Sequence, residues 1–477
     1  MKKVDQEAKL RNDIEKKIKK IFSLRKKDKK FIPGKSWIQY AGGVFDHKEI
    51  NASVDSLIDG WFGLGVKGEA LEKKLAAFVG AKGSILTNSG SSANLLAVTS
   101  LLSYFYPNHL NPGDEVITAA CGFPTTVNPL FQNNLKPVFV DVEPDTYNVT
   151  IENLEKAVSK KTRAVILAHT LGNPFEVDRV VEFCKAHNLF FIEDNCDALG
   201  SKYNGKRTGG FGLLATQSFY PPHHMTIGEG GAIHYNDLRF ERITKSLRDW
   251  GRSCWCPGDE KRTWGTCGAR FNYRIDGKLY DHKYMFNQIG YNLKPIEAQA
   301  AMGLEQIKRV PGFTRERAYN FKRFFEHAKR WEKYFILPRS LPLAQPSWFA
   351  FPLTIRDGVK FSRMKLALFL EERMIQTRPL FGGNLTHQSA YAKSRVKYRQ
   401  VGNLANSTRI LHNTFFVGIY PALGDQEIDY IAQSIDDFLK KEKRDERVLS
   451  SFDLMTVSQK AQEKIQRIID EDRMRGK

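Results

Sequence analysis

The chain reads as an α/β protein: a mostly parallel sheet covered on both faces, followed by a smaller α+β C-terminal domain. Short apolar runs at 114–120, 136–142, 162–169, 189–194, 216–220 and 231–235 alternate with segments of helical period at 91–104, 151–159 and 177–187. That βαβα order is how parallel strands joined by crossover helices are written. After about Lys308 the pattern changes to helices, a strand-like run at 348–355 and a last helix near 425–440. At 477 residues, 42% hydrophobic and 26% charged, the chain is long enough for two buried cores. The expected organisation is a basic helix over 1–35, a large α/β domain over 36–308, a small α+β domain over 309–442 and a charged tail over 443–477.

Taken in order, the first 35 residues hold 14 Lys/Arg against 5 Asp/Glu, so +9 of the formal net charge of +20 sits there. Leu10, Ile14, Ile18 and Phe22 recur at helical spacing, giving a basic amphipathic helix. It serves either as a solvated helix packed on the body or as a docking element for an anionic partner or membrane surface. Charges stand where a signal peptide has an apolar run, and no stretch approaches the roughly 20 apolar residues that span a bilayer. A cytoplasmic protein without stable membrane insertion is therefore expected. The remaining +11 suits electrostatic steering of a pyrophosphate-bearing substrate or an acidic redox partner, and no nucleic-acid module is present in the sequence.

Ligands of open α/β sheets bind at the carboxyl ends of the strands, so residues just after each apolar run matter most. In TNSGSSAN (87–94), small residues open a helix: Gly90, Ser91 and Ser92 form either a phosphate cradle of free N–H groups and hydroxyls or an ordinary helix start. Phe123, in CGFP, is placed to stack on a cofactor ring or to fill the core. Asp194 ends the run FFIED, where a carboxylate can pair with a protonated ring nitrogen or serve structure alone. Ser218, His223 and His224 lie in SFYPPHHMTIGEGG, and Asn292 in GYNLKP.

In this order and spacing these segments resemble the sugar-aminotransferase branch of fold type I pyridoxal-phosphate enzymes, over roughly residues 35–440. The resemblance implies that Ser91, Ser92 and Ser218 hold the cofactor phosphate and that Asp194 faces the pyridine nitrogen. It also implies that Asn292 is contributed by the second subunit of a homodimer. His223 stands at the position of that branch's lysine. A lysine there anchors the cofactor as a Schiff base and moves the proton at C4′; a histidine retains only proton transfer, to which its near-neutral pKa is suited. Such an enzyme uses noncovalent pyridoxamine 5′-phosphate (its pyridoxal form possible), condenses it with a 4-keto sugar and expels the C3 hydroxyl. His224 is the alternative base or a substrate contact.

Of six cysteines, Cys121 and Cys184 read as buried core residues. Cys254, Cys256 and Cys267 crowd into a glycine-containing loop, and Cys196 follows Asp194 by two residues. In a reducing compartment such clustering points to a metal or redox centre, and four thiolates suit a 2Fe-2S cluster or structural zinc equally. With His223, 57 residues between Cys196 and Cys254, one between Cys254 and Cys256, and GGNLT at 382–386, the chain resembles the CDP-6-deoxy-L-threo-D-glycero-4-hexulose-3-dehydrase family of lipopolysaccharide dideoxysugar pathways. That resemblance implies a 2Fe-2S cluster on Cys196, Cys254, Cys256 and Cys267. The ten residues between Cys256 and Cys267 exceed the family spacing. It further implies a nucleotide-sugar substrate, CDP-4-keto-6-deoxy-D-glucose, and a separate NAD(P)H-dependent flavin and iron-sulfur reductase that delivers single electrons. Arg378 and Asn384 become candidates for the nucleotide pyrophosphate, or parts of a surface loop. Two other readings stay open: an iron-free GDP-4-keto-6-deoxymannose 3-dehydratase, and a catalytically inactive zinc-containing binding protein of the same fold.

Overall fold

The computed structural model describes residues 2–27, 30–254 and 270–442. Cys256, Cys267 and the tail expected over 443–477 lie outside the described residues.

Seven strands build the main sheet: β1 (Gly83–Thr87), β2 (Glu115–Ala119), β3 (Lys136–Val140), β4 (Thr162–Ala168), β5 (Phe190–Asp194), β6 (Leu214–Ser218) and β7 (Gly231–Tyr235). Their spatial order is β1-β7-β6-β5-β4-β2-β3, with Arg399–Gln400 added in parallel at the far edge. β2 through β6 pair in parallel, and β7 runs antiparallel to both β1 and β6. The mostly parallel sheet expected from the sequence is present. β4 shows why: Val165 and Leu167 face one core while Ala164 and Ile166 face the other, so the run is apolar on both sides. Helices Gly90–Leu101 and Arg239–Arg248 cover one face; Ile151–Ala157 and Val177–Ala186 cover the other.

Two details depart from the sequence reading. β1 was not anticipated: GSILT is buried throughout, but its short run begins with Gly and Ser and lacks a β-branched majority. The strand placed at 216–220 occupies Leu214–Ser218 instead. Phe219 is fully buried beside Met225 and Ile227, so apolarity continues past the end of the ladder, where the chain turns away.

A second, antiparallel sheet joins Phe335–Ile336, Ala350–Ile355, Thr414–Gly418 and Thr377–Pro379. Its core includes Phe351, Leu353, Phe415 and Val417, closed by Ile428, Ile431 and Ile435 of helix Asp425–Glu442. The long helix Glu297–Ala328 contributes Ala300 and Ile307 to a core of the main body and Phe324 and Ala328 to that of the second sheet.

At the start of the described chain, α1 (Lys2–Lys27) lies against α2 (His47–Ile58), an attachment made by Arg11 with Asp59 at 3.1 Å and by the Phe22 ring edge-on to Phe45. No helix among the described residues is long and apolar enough to cross a membrane.

Candidate active site

The carboxyl ends of β1, β5 and β6 meet at a cavity of ≈ 770 Å³. Thr87 leads from β1 into helix Gly90–Leu101, capped by Ser89, whose Oγ accepts from the Ser92 N–H at 3.0 Å and donates to Ser92 Oγ at 3.0 Å. Gly90 is required where it stands: a Cβ there would lie 2.4 Å from Ser218 Cβ and 3.1 Å from Cys196 Sγ. The helix start and the end of β6 are thus pressed together, leaving Gly90, Ser91 and Ser218 on the cavity wall. A helix N-terminus with free N–H groups and serine hydroxyls is a ready anion site.

Asp194, at the end of β5, is buried and held by three donors: Asn94 Nδ2 at 2.9 Å, Thr126 Oγ1 at 2.7 Å and the Cys196 N–H at 3.1 Å. Thr216 Oγ1 donates to Asn94 Oδ1 at 2.7 Å, which fixes the orientation of that amide. A carboxylate so immobilised is preorganised for a cationic ring nitrogen. Phe123 is half exposed on the opposite wall, its ring edge-on to Phe381 at 5.7 Å. A phosphate cradle, a fixed carboxylate and an available aromatic face in one cavity fit pyridoxamine or pyridoxal phosphate.

Beyond β6, Tyr220, Pro222 and His223 line the same cavity. The His223 ring packs edge-on against Phe349 at 5.7 Å and Tyr220 at 6.1 Å. Its Nδ1 is buried without a hydrogen-bond partner, and its Nε2 stands 3.6 Å from Asp197 Oδ1, too far for a hydrogen bond. Burial pulls the imidazole down to about 4, and burial together with Asp194 pushes Asp197 up to about 7. At neutral pH the His223 imidazole is therefore uncharged, the Ser218 backbone only partly offsetting the effect of burial.

The other candidates are placed as follows. His224 is buried on the far side, its Nε2–H donating to Ser347 O at 2.6 Å, and it does not line the cavity. Ser92 is likewise off the wall, engaged with Ser89. Asn384 is fully buried: its Nδ2 donates to Thr408 Oγ1 and its Oδ1 accepts from Thr386. Arg378 lines the cavity, its guanidinium 4.7 Å over the Tyr40 ring. Asn292 does not line the cavity of its own chain; it bridges to Asp249. Cys196 faces the cavity, its thiol pushed well up by burial and by Asp194. Cys254 is a free, half-buried thiol at the border of the described residues. Among the described residues no group of three or more His, Cys, Asp or Glu could hold a metal ion.

Several wall residues escaped the sequence reading. Asn94 and Thr126 sit within or just beyond quoted motifs, at helix positions one turn from the strand ends, so helical spacing could have found them. Tyr40, Asp197, Phe349 and Phe381 reach the cavity only through the tertiary fold.

The DegT/DnrJ/EryC1/StrS aminotransferase family matches residues 44–436. The chain belongs to that family. Within it, the chain is 47% identical over 416 residues to dTDP-4-dehydro-2,6-dideoxy-D-glucose 3-dehydratase of Saccharopolyspora spinosa, covering 86% of this chain and 88% of that one. It is 45% identical over 415 residues to the lipopolysaccharide biosynthesis protein RfbH of Salmonella typhimurium, covering 86% and 93%. Among solved structures, GDP-4-keto-6-deoxymannose-3-dehydratase with a trapped PLP-glutamate geminal diamine superposes with a TM-score of 0.75 at 30% identity, covering 83% of this chain and 99% of that one. The fold type I architecture expected from the sequence is thus that of its DegT/DnrJ/EryC1/StrS relatives.

Proposed function

We propose that the chain is a pyridoxamine 5′-phosphate-dependent 3-dehydratase acting on a nucleotide-linked 4-keto-6-deoxyhexose, CDP-4-keto-6-deoxy-D-glucose, in 3,6-dideoxyhexose and lipopolysaccharide biosynthesis. The observation that carries this reading is His223, facing the cavity at the end of β6 where an aminotransferase of this family needs a lysine. Two relatives named as nucleotide-sugar 3-dehydratases support the reaction, and one named as a lipopolysaccharide biosynthesis protein supports the pathway.

When bound, the cofactor supplies an amine for the sugar ketone and an electron sink for C3 dehydration. Gly90, Ser91 and Ser218 would hold its phosphate, Asp194 would pair with its ring nitrogen and Phe123 would pack on the ring. His223, neutral at pH 7, would take the proton from C4′ and carry it to the departing C3 hydroxyl. Tyr220 and Phe349 restrict water around that imidazole. Arg378, over Tyr40 at the mouth, meets the pyrophosphate.

The finer part of the proposal is a 2Fe-2S cluster on Cys196, Cys254, Cys256 and Cys267, fed by a separate NAD(P)H-dependent flavin and iron-sulfur reductase. Cys196 and Cys254 form no disulfide among the described residues, which leaves both thiols available for such ligation. A homodimer, with Asn292 reaching the partner's cofactor, is supported by the exposed apolar side chains of Ile289 and Phe286, three and six residues before it in the chain.

Iron and acid-labile sulfide on anaerobically purified protein, together with single-turnover product analysis on CDP-4-keto-6-deoxy-D-glucose, test the reading. Two irons and C3 deoxygenation support it. Deoxygenation of the GDP-linked mannose analogue without iron would replace it with the iron-free dehydratase, and zinc with no turnover would leave a binding protein.

A further inference from the structure

The helix α1 takes no part in the cavity, and its outward side chains form a surface of distinct chemistry. Residues 16–25, KKIKKIFSLR, contain five Lys/Arg and no Asp or Glu. Lys16, Lys17, Lys19, Lys20 and Arg25 are all exposed. Among the described residues only Lys16 of these has an ion-pair partner, Asp13 at 3.5 Å, and that pair is itself solvent-exposed. The helix is attached to α2 by a narrow stripe: Arg11 set between Asp55 and Asp59, and Phe22 against Phe45, with Ile14 and Ile18 half-buried between them. The remaining apolar residues are left outside, with Leu10 58%, Ile21 48% and Leu24 57% exposed. At about 100° per residue, Leu10, Asp13, Lys17, Ile21 and Leu24 fall on one flank of α1, so an aliphatic ridge runs among lysines, with one carboxylate, Asp13, that Lys16 offsets.

We infer that this flank of α1 is a docking surface for an anionic lipid headgroup layer. Charge complementarity selects an acidic surface, and the side-chain types select lipid over protein. Protein interfaces are enriched in Tyr, Trp and Arg and depleted of Lys, whereas this flank presents lysines and bare aliphatic tips. Lysines beside a phospholipid surface gain from its negative potential without specific geometry, and exposed Leu and Ile tips enter the headgroup boundary shallowly. Because no described helix can cross a bilayer, the association is peripheral. It holds the enzyme at a membrane surface while the cavity stays in water. This inference does not depend on the proposed reaction.

The test is cosedimentation of the full-length protein with vesicles of phosphatidylcholine alone or with roughly one third phosphatidylglycerol, at about 0.1 M salt. Partitioning onto the anionic vesicles is expected to exceed that onto neutral ones by about tenfold or more. Two double variants carry the argument: Lys17→Gln with Lys20→Gln, and Ile21→Ser with Leu24→Ser. All four positions are exposed, and unchanged circular dichroism and melting temperature confirm the fold. Each pair is expected to weaken anionic binding at least threefold, on the order of the loss of two surface charges or two shallow aliphatic contacts. Binding to neither vesicle, equal binding to both, or anionic binding untouched by either pair overturns the inference. So does a loss seen with the lysine pair alone, since that would mark a purely electrostatic surface suited to an acidic protein.

Discussion

Replacement of His223 by asparagine isolates proton transfer from everything else in the cavity. The imidazole makes no side-chain hydrogen bond: Nδ1 is unpartnered and Nε2 is 3.6 Å from Asp197. Asparagine therefore loses the ring contacts with Phe349 and Tyr220 and a weak backbone interaction with Ser218, so the stability change should be on the order of 1 kcal/mol. Asp194, Gly90 and Ser218 are untouched, so pyridoxamine phosphate should still bind. What disappears is a positioned general base, which contributes about 10²–10⁴-fold to a proton-transfer rate, or about 3–5 kcal/mol of barrier. The assay is loss of deuterium from the C4′ position of labelled cofactor in the presence of the sugar nucleotide, followed by mass spectrometry, beside a melting curve. In the unsubstituted enzyme the exchange rate should be level from pH 8 to 5 and half-maximal near pH 4, because burial places His223 at about 4 and the neutral form is the active one. Exchange in His223→Asn within tenfold of the parent rate would refute the assignment of the base. Exchange in the parent that is half-lost near pH 6.5 would refute the account of its environment.

Gly90→Ala drives a methyl to 2.4 Å from Ser218 Cβ; overpacking of this kind costs about 1–3 kcal/mol, and cofactor affinity measured by fluorescence should fall more than tenfold. Cys254→Ala should remove iron measured by mass spectrometry while leaving C4′ exchange intact; full iron in that variant would sink the proposed ligand set. Glu115, at the start of β2, would be raised by burial, but Arg399, Ser159 and Lys136 outweigh that and bring it to about 2. Its ionised form therefore stabilises the fold above pH 4.5, and that contribution fades as pH falls toward 2. By linkage it is about 3 kcal/mol, so Glu115→Gln should lower stability in urea unfolding at pH 7 and converge with the parent near pH 2.

What the sequence disclosed was local. Asp194 closes an apolar run and His223 lies just past one, so strand-end logic pointed to them without tertiary information, whereas Gly90 and Ser91 stood out through the small residues that open a helix. His223 was recognisable through a missing lysine within one contiguous motif. The remainder of the wall was hidden for a physical reason: Tyr40, Phe349 and Phe381 arrive from segments far apart in the chain, and nothing in their own neighbourhoods distinguishes a cavity aromatic from a core one. Asp197 illustrates the same limit, since its effect on His223 depends on a turn that only the fold defines. β1 was overlooked because five residues opening on Gly and Ser carry little periodicity, although all five are buried.

The cavity wall draws on residues from Tyr40 to Phe416, and this has a consequence for synthesis. All but the short edge strand Arg399–Gln400 of the main sheet is made by Tyr235, so a chain emerging at about 5–20 residues per second can bring Gly90, Ser91 and Ser218 together and fix Asp194 while much of it is still unmade. The histidine, by contrast, gains its Phe349 wall and the Arg378 mouth only later. Under the proposed residue roles, cofactor capture precedes competence for proton transfer, and a nascent chain would hold its reagent before it possesses a sheltered base with which to use it.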